Sequence, residues 1–290
     1  MSRILIIGAG VVGKATGVGL FEHDHNVTFV DTNPATVDRL RNEGYRAICP
    51  EEINLYDVTA VFVSVTALTS ESDGIDLSHL KAATQTLGEK LAYTDAKPVI
   101  VYRCTLPPGT VQAELIPMLE KFSGKQVGTG FGVVYNPEFL RANTALDDFQ
   151  NPRIVILASR KRDCWEHQAV EAILHEFGPT HWLEFEQAEL LKYVNNVYNA
   201  VKITFFNVIR IVADKMGVTD ADKVFEFAAL SAEGLWNPIY GTRNFGPYDG
   251  VCLPKDTEAL RHLADQLGLN EVVQLLGSVQ DINRLFGGTR

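Results

Sequence analysis

The sequence predicts an α/β protein in which a doubly wound, mostly parallel sheet is followed by an all-helical domain built on a long central helix. Three observations carry this expectation. Short β-rich runs alternate with helical segments over residues 1 to about 180, the rhythm of strand–helix–strand units. From Gln187 to Met216 there is neither Gly nor Pro, so one long helix is expected there. Helical patterns then resume at 220–230, 256–267 and 270–286. The domains are placed at residues 1–185 and 186–290.

Residues 3–7 (RILII) are apolar and end at Gly8, and residues 26–30 (NVTFV) end at Asp31, with a helix expected between them. Further strands are expected at 60–65 (AVFVSV), 98–102 (PVIVY), 132–135 (GVVY) and 153–157 (RIVIL), with helices at 78–92 and 110–122. On the long helix, apolar residues such as Leu190, Val194, Val197, Tyr198, Val201 and Phe205 occur almost all round the wheel. Such a helix calls for burial on most faces, inside a domain or against a second subunit. A homodimer through helix 187–216 is therefore expected.

The chain has 290 residues, 46% of them hydrophobic, enough to bury a full core. It carries 26 Lys and Arg against 36 Asp and Glu, a net charge of -10. No broad basic face remains to neutralise nucleic acid or an anionic membrane. Cysteines at 49, 104, 164 and 252 follow no metal or disulfide spacing. No leader opens the chain and no apolar run is long enough to span a bilayer, so a soluble cytoplasmic protein is expected.

Gly8-Ala9-Gly10-Val11-Val12-Gly13 follows the first strand and opens a helix. Glycines there permit a tight turn, close approach of a pyrophosphate and helix–strand packing, while the helix N-terminus supplies free N–H donors. Asp31 ends the second strand, where a carboxylate accepts from both ribose hydroxyls of an adenosine and repels a 2′-phosphate. NAD is thus favoured over NADP.

Four further stretches carry candidate chemistry. Thr105 lies in Arg103-Cys104-Thr105-Leu106-Pro107-Pro108-Gly109-Thr110, a rigid turn at a strand's C-terminal end, where doubly wound sheets build their ligand crevice; the alternative is a turn and nothing more. Glu138, in Asn136-Pro137-Glu138-Phe139-Leu140, is a carboxylate flanked by apolar residues, either a general base or a surface glutamate at a helix start. Lys192 and Asn196 stand four apart on one face of the long helix, a cation and a donor suited to an oxyanion, or else a snorkelling lysine with a surface amide. Cys252, in Gly250-Val251-Cys252-Leu253-Pro254-Lys255-Asp256, precedes a helix expected to begin near Asp256, which would cap it. Beside Lys255 and that positive helix end, Cys252 is a candidate nucleophile.

Together these residues resemble the UDP-glucose/GDP-mannose dehydrogenase family over nearly the whole chain: GAGVVG, TLPPGT, NPEFL, the E-x-x-K-Y-x-x-N segment beginning at Glu189, and CLPKD. The resemblance implies a Rossmann-type NAD domain and oxidation of the C6 alcohol of a nucleotide sugar to the carboxylate, as from UDP-glucose. It implies that Cys252 adds to the aldehyde, giving a thiohemiacetal and then a thioester. Lys192 and Asn196 would stabilise the oxyanion, Thr105 and Asp256 would hold or activate water, and Glu138 would act in thioester hydrolysis. Gly8, Gly10, Val12, Gly13, Asp31 and Thr105 would bind NAD, with Lys255 near its phosphates. Glu138, Lys192, Asn196, Tyr240 and Asn244 would contact substrate.

Several positions depart from the family pattern. Ala142 stands where a second Glu is usual, Val65-Thr66-Ala67-Leu68 lacks a proline, and Asp249-Gly250 replaces a glycine pair. Leu235-Trp236-Asn237-Pro238 stands where the family donates an arginine across the dimer, with Arg243 the nearest substitute. The family normally continues into a third, nucleotide-gripping domain, and residue 290 falls shortly after the helix that would lead to it, so a form lacking that domain is expected. Two alternatives remain: a one-step β-hydroxyacid dehydrogenase, which also pairs a Lys and an Asn on a helix, and an NAD-binding scaffold acting with a partner.

Overall fold

A computed structural model describes all residues except 67, 71–73, 239, 242–245, 251 and 289–290. The chain divides into two compact units, Met1–Val197 and Tyr198–Arg290.

The first unit begins with β1 (Arg3–Ile7), α1 (Val11–Glu22), β2 (Asn26–Val30), α2 (Pro34–Asn42), β3 (Arg46–Ile48) and β4 (Ala60–Val63). A small antiparallel ribbon of β5 (Leu68–Ser70) and β6 (Gly74–Asp76) precedes α3 (Ser78–Ala92) and β7 (Val99–Tyr102). One π-turn (Val111–Leu115) leads into α4 (Ile116–Ser123), followed by β8 (Gly132–Tyr135), α5 (Ala145–Gln150), β9 (Val155–Ala158), α6 (Trp165–Leu174) and β10 (Thr180–Leu183). Pro117 has no N–H to offer the carbonyl four residues before it, and the wider turn absorbs that loss. The main sheet runs in the order β10-β9-β8-β7-β4-β1-β2-β3. Its pairs are parallel except β8 with β9, which is the doubly wound architecture expected from the sequence.

Both faces of the sheet are covered. Leu5, Ile7, Val61, Val63, Ile100 and Tyr102 point into one core, and the residues between them, Ile4, Ile6, Ala60, Phe62, Val99 and Val101, into the other. That alternation follows from the period-two strand, and apolar residues at both phases explain the continuous runs in the sequence. The chain order steps outward from β1 in both directions, so the crevice between the strand ends of β1 and β4 is the place where such sheets bind ligands.

The long helix α7 (Phe185–Lys215) starts in the first unit and enters the second. Among the described residues the second unit is otherwise formed by α8 (Ala221–Ser231), α9 (Glu233–Trp236), α10 (Cys252–Gln266) and α11 (Asn270–Leu285). Val208 and Val212 of α7 pack there with Ala264, Leu269, Val272 and Leu276. The middle of α7 is not buried by its own chain: Val194, Val197, Tyr198, Val201 and Ile203 are each more than half exposed. Burial inside a domain, one of the two expectations for this helix, is thus corrected. No described helix is long and apolar enough to cross a membrane.

Candidate active site

The glycine-rich turn between β1 and α1 is shaped by close approach. Gly8 has φ +85°, and a Cβ on it would stand 2.9 Å from the Ser64 carbonyl oxygen. A Cβ on Gly13 would stand 1.8 Å from the Gly8 oxygen, so α1 lies against the turn only because both residues lack side chains. Gly10, by contrast, faces open space, with nothing within 4 Å of its missing Cβ. The first turn of α1, which includes Val12, has neither a side-chain cap nor an acidic residue. Its free N–H groups are the donors an anion uses.

Asp31 is fixed at the edge of this cradle. One carboxylate oxygen accepts the Ala9 N–H at 2.8 Å and the other the Asn33 N–H at 2.9 Å. An open cradle, uncapped N–H donors and a held acid on the neighbouring strand fit a dinucleotide.

The second part of the site lies beyond β7 and β8. Thr105 is half-buried just past β7. Lys192 on α7 is buried, and its ammonium donates to Glu138 Oε1 at 2.9 Å and also to the Glu138 carbonyl. The Lys192 Nζ stands 5.5 Å from the centre of the Phe139 ring. Glu138 is held on its other oxygen by the Leu140 N–H at 2.8 Å. The structure thus joins Glu138 and Lys192, 54 positions apart, into a buried ion pair whose ammonium has three donors and two partners. A cavity of about 610 Å³ opens here, with Asn136, Glu138, Leu191 and Asn195 among its walls.

Arg103, to which sequence reasoning assigned no role, lines the same cavity. It is 4% exposed, its Nη1 donates to Asn136 Oδ1, and its guanidinium lies 5.5 Å from the Phe149 ring centre. Its Nε finds no hydrogen-bond partner among the described residues. Burial pulls the guanidinium down to about 10, and the nearby Glu138 charge opposes this. It remains a cation at neutral pH. The available signal was a charged residue directly after an apolar strand, where no solvent-facing position was due.

Asn196 shares a helix with Lys192, yet it is exposed and accepts from Asn195. At Ala142 the expected carboxylate is absent. The nearby acid Asp148 is instead bonded to Arg141, which holds its carboxyl well below the usual range.

On the second unit, α10 begins at Cys252 and not near Asp256, so Asp256 is not a helix cap. Pro254 falls in the first turn, where its missing N–H would have had no intrahelical acceptor anyway, and the helix starts ahead of it. Cys252 is exposed. Lys255 and Asp256 form an exposed ion pair, and the bond to Asp256 raises the Lys255 ammonium above its ordinary value. Tyr240 is 47% exposed. Asn244, Arg243, Ala67 and Val251 lie outside the described residues. No cluster of His, Cys, Asp and Glu able to hold a metal is present among the described residues.

Comparison with known proteins agrees with this fold. The NAD binding domain of the UDP-glucose/GDP-mannose dehydrogenase family matches residues 2–53 and 47–177, and its central domain matches 186–285. A GDP-mannose 6-dehydrogenase of Pseudomonas aeruginosa is 29% identical over 97% of this chain and 68% of its own length. A UDP-glucose 6-dehydrogenase of Haloferax volcanii is 31% identical over 97% of this chain and 69% of its own length. The crystal structure of a ternary complex of the Pseudomonas aeruginosa GDP-mannose dehydrogenase superposes with a TM-score of 0.89 at 28% identity, covering 99% of this chain and 69% of that one. The chain therefore spans about two-thirds of the length of the relatives it matches. With an NAD binding domain and a central domain both matched in order, the chain belongs to the UDP-glucose/GDP-mannose dehydrogenase family.

Proposed function

We propose that this protein oxidises the C6 alcohol of a nucleotide sugar, of the UDP-glucose type, to the carboxylate with NAD as acceptor. The observation that carries the reading is the buried Glu138–Lys192 pair beside the cavity, within a chain that also has the cysteine motif. When bound, NAD supplies a hydride acceptor. Gly8, Gly10, Val12, Gly13 and Asp31 hold it, with Thr105 at the same edge and Lys255 toward its phosphates.

Lys192 directs its remaining N–H to the substrate oxygen and, with Asn196, stabilises that oxygen as it gains negative charge; a desolvated ammonium is far stronger there than one in water. The first oxidation removes a hydride from C6 and the hydroxyl proton, leaving an aldehyde. The Cys252 thiolate then forms an S–C bond to the aldehyde carbon, and the oxyanion takes up a proton as a thiohemiacetal. Loss of a second hydride from that carbon and of the hydroxyl proton gives the thioester. Glu138, with water held by Thr105 and Asp256, completes hydrolysis: water adds, the C–S bond breaks and the thiol is restored. Tyr240 and Asn244 contact the sugar nucleotide.

Two copies associate through helix 187–216. This reading is supported by the exposed apolar residues of α7 together with Phe227 and Leu230 of α8. Four free cysteines suit a reducing cytoplasm. Light scattering on the chain and on Val201→Asp checks the dimer, which the substitution should dissociate.

The test of function is NADH formation with UDP-glucose, UDP-N-acetyl sugars and GDP-mannose. Turnover with one of them supports the reading. NAD binding without turnover on any sugar nucleotide favours the scaffold instead.

A further inference from the structure

Glu189 opens the segment that carries Lys192 and Asn196, and at positions i, i+3 and i+7 the three share one helical face. The function proposed above leaves Glu189 without a task. Its side chain is fully buried, and no Lys or Arg pairs with it among the described residues. Its two oxygens instead bind backbone: Oε1 accepts the Val111 N–H at 2.9 Å, and Oε2 accepts the Gly109 N–H at 2.5 Å. Both donors belong to the turn that carries Thr105 and leads into the π-turn and α4, where N–H groups have no intrahelical acceptor.

A carboxylate is the side chain suited to this place. It has two acceptor atoms and no donor, so two converging N–H groups satisfy it. Glutamine would set an amide N–H against one of them, and an apolar residue would leave both orphaned in the interior. Burial holds the Glu189 carboxyl above its ordinary value, and the two N–H bonds oppose that rise.

We propose that Glu189 is a positioning residue: a strap from α7 to the turn 105–111 that sets Thr105, at the cofactor edge, against Lys192 one helical turn from the strap. The helix follows the edge strand β10 and the turn follows the interior strand β7, and among the described hydrogen bonds these two join them directly. Without the strap, Lys192 and Thr105 each keep their own element, but the distance between them is no longer held. Reactions of this kind lose rate quickly when groups shift by about 1 Å.

This inference rests on the reading of Thr105 as a cofactor-edge residue, and NAD affinity separates the two. NAD binding is titrated calorimetrically for the unaltered chain, Glu189→Gln, Thr105→Ala and the double variant. If Glu189 acts through Thr105, Glu189→Gln weakens NAD about tenfold alone and less than about twofold when Thr105→Ala is already present. Equal losses in both backgrounds would show a general loosening and overturn the proposal, as would no loss in either. Unchanged affinity in Thr105→Ala alone marks failure of the Thr105 reading, and amide exchange then decides the strap. Exchange at Gly109 and Val111 should accelerate about a hundredfold in Glu189→Gln, and unaltered exchange overturns it. Should the variant not fold, the same amides in the unaltered chain must be protected as strongly as those of β8, and exchange at free-loop rates contradicts the strap.

Discussion

The two groups of candidate residues differ in how far the chain itself has built them. In the first unit, Lys192, Glu138, Asp31 and Glu189 are each held by buried or half-buried hydrogen bonds to backbone or to one another. In the second, Cys252 is exposed, and Lys255 and Asp256 form an ion pair with more than 60% of each side chain in solvent. Charges in water act weakly on each other and on a nearby thiol, whereas a desolvated ammonium acts strongly. The contrast teaches that the residues to which the proposal gives the oxyanion and the cofactor are held by the fold, while those to which it gives the thiol chemistry stand in solvent.

The sharpest way to break this comparison is to delete the thiol. Cys252→Ala should reduce acid formation about a thousandfold while NAD affinity and thermal stability stay unchanged, because an exposed side chain holds nothing together. Coupled loss of stability and activity would show that Cys252 is structural.

Lys192→Ala should lose both. Removing the cation from a pair with Glu138, whose side chain is 12% exposed, leaves an uncompensated buried carboxylate and costs about 3 kcal/mol in denaturant titrations. Turnover should fall about a hundredfold. A stability cost near zero would contradict the preorganised first half.

The glycines separate folding from binding within one turn. Gly13→Ala meets the Gly8 oxygen at 1.8 Å and should destabilise the first unit by about 2–3 kcal/mol as well as weaken NAD. Gly10→Ala meets nothing within 4 Å, so the melting temperature should hold while NAD affinity drops about tenfold. An unchanged NAD affinity in Gly10→Ala would remove the pyrophosphate from this position.

The smallest effect is on acid stability. His25 and His167 are buried in the first unit, and burial lowers both below 6.5. The unfolded chain therefore binds protons that the folded chain refuses, so stability present above pH 6.5 is lost as pH falls through the lowered folded values. His262, in the second unit, is exposed. Probes in the first unit should report acid loosening that His25→Gln and His167→Gln diminish, and identical profiles in these variants would contradict it.

The central strands were legible because their apolar residues serve two buried faces, and runs such as RILII and PVIVY have no competing reading. The strands at the two ends of the sheet order, β3 and β10, escaped notice because RAI and THWL are short and keep polar residues at the solvent edge. Residue types at the site were equally legible, but their pairings were not. Spacing put Lys192 and Asn196 on one face, yet only tertiary packing decides that Lys192 is buried and Asn196 exposed. Nothing local links Glu138 to Lys192, or Glu189 to Gly109. The start of α10 was misplaced because the proline in CLPKD reads as a helix breaker unless the first turn is allowed to contain it.

The central claim, oxidation in two steps through a single thiol, is tested most directly by counting NADH formed per sugar acid released when the 290-residue chain turns over UDP-glucose or the nucleotide sugar that replaces it. The account predicts two NADH per acid with no free aldehyde. One NADH per product, undiminished in Cys252→Ala, would contradict it and leave a one-step dehydrogenase in its place.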